Sequence, residues 1–283
     1  MRREIGIMQG RLSPPEGGRI QFFPERTWRD EFAKARECGL DRIEWIIDEP
    51  RWRENPIMTD AGRAEIEQLS RDTGVSVRSA CADVFMAYPL HSAAAGQQER
   101  REAMLREVIE AAGKAGLEHV DIPFVDASAI ATEAAFDTVV RVFREAAGLA
   151  AGVRLTLCLE TSLEPARFKR LLEAIAHPNV KANFDIGNSA SLGYAPAQEL
   201  AAIGPWLACV HIKDRRLAGS TVPLGTGGAD FEAVSQGLAQ ARYGGHFVLQ
   251  AARGSDEVEW TKRNVAFARR FIDGIEAANG SKA

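Results

Sequence analysis

Residues 154–185, RLTLCLETSLEPARFKRLLEAIAHPNVKANFD, contain one complete repeating unit of the fold. The stretch begins with a short apolar run that ends at Glu160 and closes with a second run that ends at Asp185. Continuous apolar runs of this length are typical of parallel strands buried on both faces. Between the runs, Pro165 is placed to begin a helix. Apolar residues then recur at helical spacing, at Phe168, Leu171, Leu172 and Ile175. The stretch therefore predicts a strand, a helix and a second strand parallel to the first.

The same alternation of apolar runs and helical patterns continues along the chain. Strands are predicted at residues 4–9, 41–47, 75–81, 119–123, 154–160, 180–185, 207–211 and 246–250. Several are preceded by a glycine placed to end a helix in the left-handed conformation, at Gly39, Gly74, Gly116 and Gly152. Eight strand-then-helix units in one chain predict an α/β fold of the (β/α)₈ TIM barrel type.

A doubly wound sheet is the competing fold, and the end of the first predicted strand argues against it. That fold favours a GxGxxG fingerprint after the first strand, whereas residues 8–12 read MQGRL. No linker-like segment or change of composition divides the chain, so we expect a single domain over residues 1–283.

Composition and charge exclude several classes of protein. A net charge of −4 and a pI of about 5.8 argue against a nucleic-acid partner, because such binding depends on Lys and Arg at phosphates. No membrane partner is expected, since no run approaches the ~18 apolar residues of a spanning helix. The start of the chain lacks the apolar region of a signal peptide. The four cysteines form no CxxC pair, so we expect them to be buried and reduced in a cytoplasmic protein.

Polar side chains end four successive predicted strands, where this fold carries its chemistry. They are Glu160, Asp185, His211 and Gln250. Two carboxylates, an imidazole and an amide oxygen form a mixed set of ligands that suits Mn²⁺, Mg²⁺, Co²⁺ or Zn²⁺. One such residue alone would be ordinary at the rim of a barrel. Four on consecutive strands predict a site for one divalent metal ion.

A glycine-rich segment lies between the seventh and eighth predicted strands. Residues 222–231 read VPLGTGGADF. Its backbone amides could approach a substrate or phosphate at the start of the next helix, although a plain turn would have the same composition.

Three motifs, in this order, resemble the xylose isomerase-like barrel superfamily of sugar phosphate isomerases and epimerases. They are FDIGN at 184–188, VHIKD at 210–214, and PLGTG at 223–227 followed by Asp230-Phe231. The Asp-Ile-Gly-Asn form is similar to that of the ketopentose 5-phosphate 3-epimerases, and the resemblance covers nearly the whole chain. It implies an isomerase or epimerase of carbohydrate metabolism with a small carbohydrate substrate. Relatives are often dimers or tetramers, so the resemblance is compatible with a homo-oligomer, although no stretch of this sequence identifies an interface.

The resemblance further implies one metal ion held by Glu, Asp, His and Glu at the ends of strands five to eight. Glu160, Asp185 and His211 match that set, whereas Gln250 departs from it. In the epimerases the two glutamates also move the proton of the substrate carbon, so Glu160 is the expected catalytic base as well as a ligand. An amide oxygen can bind a metal but cannot act as a base at neutral pH. The departure therefore favours one-base isomerisation through an enediol over two-base epimerisation.

A second departure concerns phosphate. Residues 84–89 read VFMAYP, where sugar-phosphate epimerases of this kind often carry His and Arg, so phosphorylation of the substrate is left open. Glu44, Asn188 and Lys213 are expected to hold substrate hydroxyl groups or polarise an oxygen. For Lys213, a salt bridge to Asp214 or a nearby carboxylate is the alternative.

Three other functions are compatible with parts of this pattern. An inosose dehydratase-like lyase would use the same metal and base. A phosphodiesterase of the endonuclease IV type would need many histidines at strand ends, and only His211 is well placed. A catalytically impaired barrel that only binds sugar is compatible with Gln250.

Overall fold

The predicted strands pair in chain order and close on themselves. They were located in a computed structural model, which describes residues 2–91 and 96–280, with side chains to residue 278. The strands are β1 (Ile5–Met8), β2 (Arg42–Ile46), β3 (Ser76–Cys81), β4 (His119–Phe124), β5 (Thr156–Thr161), β6 (Val180–Asp185), β7 (Leu207–Ile212) and β8 (His246–Leu249). All neighbours are parallel, and β1 pairs with β8 to complete the barrel. The (β/α)₈ prediction is confirmed.

Helices connect the strands on the outside of the barrel. They are α1 (Asp30–Glu37), α2 (Asp60–Thr73), α3 (Val84–Ala87), α4 (Gln98–Lys114), α5 (Glu133–Gly152), α6 (Pro165–Ile175), α7 (Ile186–Leu192), α8 (Pro196–Ile203), α9 (Phe231–Gln240) and α10 (Glu257–Gly280). Pro165 occupies the first turn of α6, as expected, and Pro196 occupies the first turn of α8. In the part of the chain that the structure describes, none of these helices has the length and apolar character needed to cross a bilayer.

The predicted left-handed conformation is confirmed at three of the four glycines. Gly39, Gly74 and Gly116 adopt left-handed φ values of 71°, 75° and 70°. The prediction is wrong at Gly152, because α5 continues through it and Arg154 takes the left-handed conformation with φ 59°. The backbone N–H of Leu155 then closes the helix end on the carbonyl of Ala150 at 2.8 Å.

Alternation along β2 shows how the strands separate packing from chemistry. Trp45 points outward, packs on Trp28 with ring centroids 5.3 Å apart, and donates its indole N–H to Asn55 Oδ1 at 2.7 Å. Glu44, one residue earlier, points into the barrel. The apolar core thus lies largely between strands and helices, and polar side chains project inward.

Candidate active site

The four predicted metal ligands stand side by side at the carboxyl ends of β5 to β8. Glu160, Asp185 and His211 lie within their strands, and Gln250 follows β8 directly. The register places Asp185 opposite His211. None of the four is more than 5% exposed. Carboxylates buried this deeply need hydrogen bonds or positive charge, and these partners define the site.

Glu160 is held by two side-chain amides. Asn183 Nδ2 lies 3.3 Å from its Oε2, and Asn188 Nδ2 donates to its Oε1. His211 Nδ1 lies 3.6 Å from the same Oε2. Burial, together with the neighbouring charge of Asp185, raises the pKa of Glu160. Its protonated form is therefore more accessible than that of an ordinary glutamate, as proton transfer requires.

Glu44 lies beside His211 inside the barrel. Its Oε1 is 2.8 Å from His211 Nε2, and its Oε2 accepts a hydrogen bond from Ser79 Oγ at 2.6 Å. Burial by itself lowers the pKa of His211, but Glu44 and Cys209 together outweigh it and raise that pKa well above its usual value. The pair orients the ring so that Nδ1 faces Glu160. The sequence predicts that Glu44 holds substrate; in the structure its carboxylate contacts the imidazole of His211.

Lys213 joins the other two predicted ligands. Its Nζ lies 3.2 Å from Asp185 Oδ2 and 3.2 Å from Gln250 Oε1. The salt bridge considered from the sequence is therefore present, with Asp185 and not Asp214 as the partner. One positive charge is shared by a carboxylate and a neutral amide.

The first turn of α7 brings Asn188 to the site. Asp185 caps this helix and accepts the backbone N–H of Asn188 at 2.7 Å. The Asn188 side-chain oxygen accepts a hydrogen bond from Arg215 Nη1 at 2.9 Å. A Cβ at Gly187 would lie 2.6 Å from Lys213 Cγ, so the close approach of α7 to the end of β7 requires glycine there.

A cavity of about 640 Å³ opens over the ends of the strands. This volume is suited to a small molecule. Glu160, Asn188, Lys213 and Gln250 line it, whereas Glu44 does not. Loops contribute further polar lining residues, namely Arg19, Gln21, Asp83, Asp126, Arg215, Ser220 and Thr221.

Asp121 and Asn183, two buried polar residues beside Glu160, were not predicted. Asp121 on β4 is buried, and its Oδ2 accepts a hydrogen bond from Asn183 Nδ2 at 3.0 Å. Asp121, Glu160 and His211 each place a ligand atom within 4.8 Å of the others. Alternation could have identified Asn183, because it precedes Asp185 by two residues on the same strand face.

This cluster fits a cation. Asp121 Oδ1 has no hydrogen-bond partner among the described residues. Burial and the adjacent Glu160 raise the pKa of Asp121 well above its usual value. In the described part of the chain, the two carboxyl groups therefore lack a nearby positive charge that would balance both of them when ionised. Oxygen and imidazole donors at this spacing are suited to a borderline or hard divalent ion.

The glycine-rich segment between β7 and α9 has a structural partner. The backbone N–H groups of Gly225 and Gly227 donate to Asp214 Oδ2 at 2.9 and 2.8 Å, and that of Ala229 donates to Oδ1 at 3.1 Å. The expectation that these amides approach a substrate is therefore wrong, because a buried carboxylate already binds them.

Comparison with known proteins agrees with the motifs. The sequence model of the xylose isomerase-like TIM barrel family matches residues 32–271. L-ribulose-5-phosphate 3-epimerase UlaE of Salmonella heidelberg (strain SL476) is 25% identical over 265 residues, which cover 89% of this chain and 91% of the relative. The resemblance drawn from the sequence motifs is confirmed.

Solved structures share the fold. An L-ribulose 3-epimerase superposes with a TM-score of 0.76 at 17% identity, covering 100% of this chain and 97% of that chain. The IOLI protein, solved with a bound zinc atom, superposes with a TM-score of 0.74 at 14% identity, covering 97% of this chain and 99% of that chain.

Proposed function

Because the chain belongs to the xylose isomerase-like TIM barrel family, we propose that it is a metal-dependent isomerase or epimerase of a small keto-sugar or sugar phosphate. It is an enzyme of the sugar epimerase and isomerase kind. One observation carries the proposal: Glu160 lines the cavity with a raised pKa, beside the buried imidazole of His211.

The residues that would hold the metal ion are Glu160, Asp185, His211 and Gln250, with Asp121 close to the first of them. When bound, a divalent ion supplies Lewis-acid polarisation of the carbonyl and hydroxyl oxygens of the substrate. The donors are oxygen and imidazole, so Mn²⁺, Mg²⁺, Co²⁺ and Zn²⁺ are the ions to test.

Side chains of the protein carry out proton transfer, stabilise the developing charge and orient the ligands. Glu160 removes the proton from the carbon beside the carbonyl, and Asn183 and Asn188 hold its two oxygens in place. Lys213, at the cavity wall, donates to the substrate oxygen on which negative charge develops. Glu44 keeps the His211 ring in one orientation, in the manner of a carboxylate behind a metal-binding histidine.

Two alternatives use the same cavity. An inosose dehydratase-like lyase would share metal and base and differ in its product. A barrel that only binds sugar is compatible with Gln250, because an amide cannot act as a base. An endonuclease IV-like site is disfavoured, because His119 and His246 lie with ring centroids 5.2 Å apart at the starts of their strands, at the end of the barrel away from the cavity.

The test begins with metal analysis of the wild type and His211→Ala, followed by incubation with L-ribulose, L-ribulose 5-phosphate and D-fructose in D₂O. The proposal expects about one divalent ion per chain, lost in His211→Ala, and deuterium incorporation beside the carbonyl. Glu160→Gln should abolish that incorporation. Glu173→Gln, an exposed glutamate on α6, is the matched control and should not. Sugar binding without deuterium incorporation would support the binding protein, and loss of water would support the lyase.

A further inference from the structure

Four side chains form a continuous hydrogen-bonded row along the cavity wall. Lys213 Nζ donates to Gln250 Oε1 at 3.2 Å, and Gln250 Nε2 donates to Gln21 Oε1 at 2.8 Å. Gln21 Nε2 then donates to Asp83 Oδ2 at 2.7 Å. All four residues line the cavity that contains Glu160.

The row has one direction. Lysine is a donor only, so the oxygen of Gln250 must face Lys213 and its NH₂ group must face Gln21. The same reasoning turns the oxygen of Gln21 toward Gln250 and its NH₂ group toward Asp83. The row therefore ends on a carboxylate, and the amide that stands in place of the family's second glutamate is connected to that carboxylate through Gln21.

Asp83 is placed as an acid/base group. It lies two residues beyond the end of β3 and is half-buried, and its Oδ1 lies 3.2 Å from Cys81 Sγ. Gln21 donates to Oδ2 and the Cys81 thiol donates to Oδ1, so Oδ1, with the weaker S–H donor, is the oxygen that can carry a proton. Burial raises the pKa of Asp83. Asp126, a further carboxylate of the cavity lining, is exposed at the rim.

We propose that Asp83 is the second acid/base residue of the reaction and works on the substrate from a different wall than Glu160. The two walls are two strands apart, since β4 separates β3 from β5. The inference rests on the proposed function. It replaces the one-base mechanism that the Gln250 position suggests with a two-base epimerisation.

The proton movements balance between the two carboxyl groups. The C–H bond beside the carbonyl breaks, its proton passes to the Glu160 carboxylate, and its electron pair enters the enediolate. The protonated form of Asp83 then gives its proton to the same carbon, so a new C–H bond forms with inverted configuration. Asp83 is left ionised and Glu160 protonated, and the reverse reaction exchanges their roles. No oxidant or reductant is required.

The test compares the metal-loaded wild type with Asp83→Asn on L-ribulose and L-ribulose 5-phosphate in D₂O. Epimer formation and deuterium incorporation into the unreacted sugar are followed separately by NMR. Asp83→Asn should lose epimer formation by about a hundredfold or more, the usual effect of removing an acid/base group. Incorporation into the starting sugar should continue, because Glu160 still removes and returns a proton on its own face. Asp83→Glu should recover part of the epimer formation.

Controls separate catalysis from folding. Asp137→Asn, an exposed residue on α5, should leave both rates unchanged. If Asp83→Asn fails to fold, Asp83→Ser provides the same comparison. Epimer formation at the wild-type rate in Asp83→Asn, or loss of both rates together in a folded protein, would overturn the assignment. So would a loss specific to Asp126→Asn.

The wild type also distinguishes this inference from the proposed function. A wild-type enzyme that makes only the 1,2-isomer and no 3-epimer overturns the role of Asp83 but leaves the isomerase proposal standing. A wild type that exchanges no proton of either sugar overturns both.

Discussion

The ammonium group of Lys213 lies 3.2 Å from the amide oxygen of Gln250, and a carboxylate oxygen of Asp185 lies 3.2 Å from the same nitrogen. This arrangement gives the amide at position 250 one possible orientation, with its NH₂ group toward Gln21. A glutamate at 250 would instead add a negative charge next to Asp185 and accept from Lys213 as an ion pair.

Gln250→Glu is therefore expected to tighten the binding of Mn²⁺. A gain of about tenfold, or ~1.4 kcal/mol, would correspond to one added charge in a partly screened site. Calorimetric titration of the metal-free protein measures it. Gln236→Glu, exposed on α9, adds the same charge away from the site and should leave the affinity unchanged. Equal affinities for wild type and Gln250→Glu would mean that position 250 lies outside the metal's coordination.

Glu44→Gln tests the role of the buried pair with His211. The amide is similar in size and can still accept from Ser79, but it removes the charge beside His211 Nε2. Loss of a carboxylate behind a metal-binding histidine typically lowers metal affinity by about 10- to 100-fold. We expect that loss in a titration with Zn²⁺, with Glu173→Gln as control. A raised KM for sugar with unchanged metal affinity would instead support the substrate-binding role predicted from sequence.

Much of the site could be predicted because the barrel places strand ends together. Glu160, Asp185 and His211 each end an apolar run, and parallel pairing makes such ends neighbours. Alternation also indicates that Lys213, two residues after His211, points to the same face. The position of a side chain along the barrel axis is harder to predict. Glu44 points inward, as alternation requires. Periodicity does not tell whether such a side chain reaches the cavity or contacts another buried residue, as Glu44 does with His211.

The loop residues of the site could not be predicted in the same way. Gln21 and Asp83 meet at 2.7 Å although 62 positions separate them in sequence, and neither lies on a strand. The path of a loop depends on tertiary contacts and carries no periodicity. The glycine-rich segment shows the same limit, since its composition is equally compatible with binding a phosphate and with binding Asp214.

Asp214→Asn is expected to loosen that segment. The carboxylate accepts three backbone N–H groups, and an asparagine would turn its NH₂ group toward at least one of them. Losing hydrogen bonds to a buried charge should cost about 2–3 kcal/mol of unfolding free energy. Urea denaturation measures this cost, and amide exchange over residues 222–230 should accelerate.

The control for Asp214→Asn is Asp230→Asn. Asp230 caps α9 by accepting the N–H of Ala233 at 2.9 Å, and asparagine caps helices about as well as aspartate. That variant should keep wild-type stability. Equal destabilisation by both variants would show that Asp214 has no special role as an anchor.

Glu199→Gln should change how stability depends on pH. Glu199 on α8 is 5% exposed; Ser189 Oγ donates to its Oε1 at 2.9 Å, and its Oε2 has no hydrogen-bond partner within the residues described. Burial raises the pKa of this carboxyl from 4.5 to about 7. This carboxyl therefore ionises at a lower pH in the unfolded chain than in the folded one, so the contribution of Glu199 to stability is greatest below pH 4.5 and falls as the pH rises toward 7. At neutral pH this pKa shift lowers the free energy of unfolding by about 3 kcal/mol.

Glutamine removes the ionisation but places an NH₂ group where Oε2 lacks a partner, which costs about 1–3 kcal/mol at every pH. Relative to wild type, the variant should therefore gain stability between pH 5 and pH 8 by up to about 3 kcal/mol, measured by urea denaturation at both values. Glu173→Gln, on the exposed face of α6, should show no such difference. An offset from wild type that is the same at both pH values would mean that Glu199 is ionised in the folded protein throughout this range, with a cation or water providing the partner for Oε2.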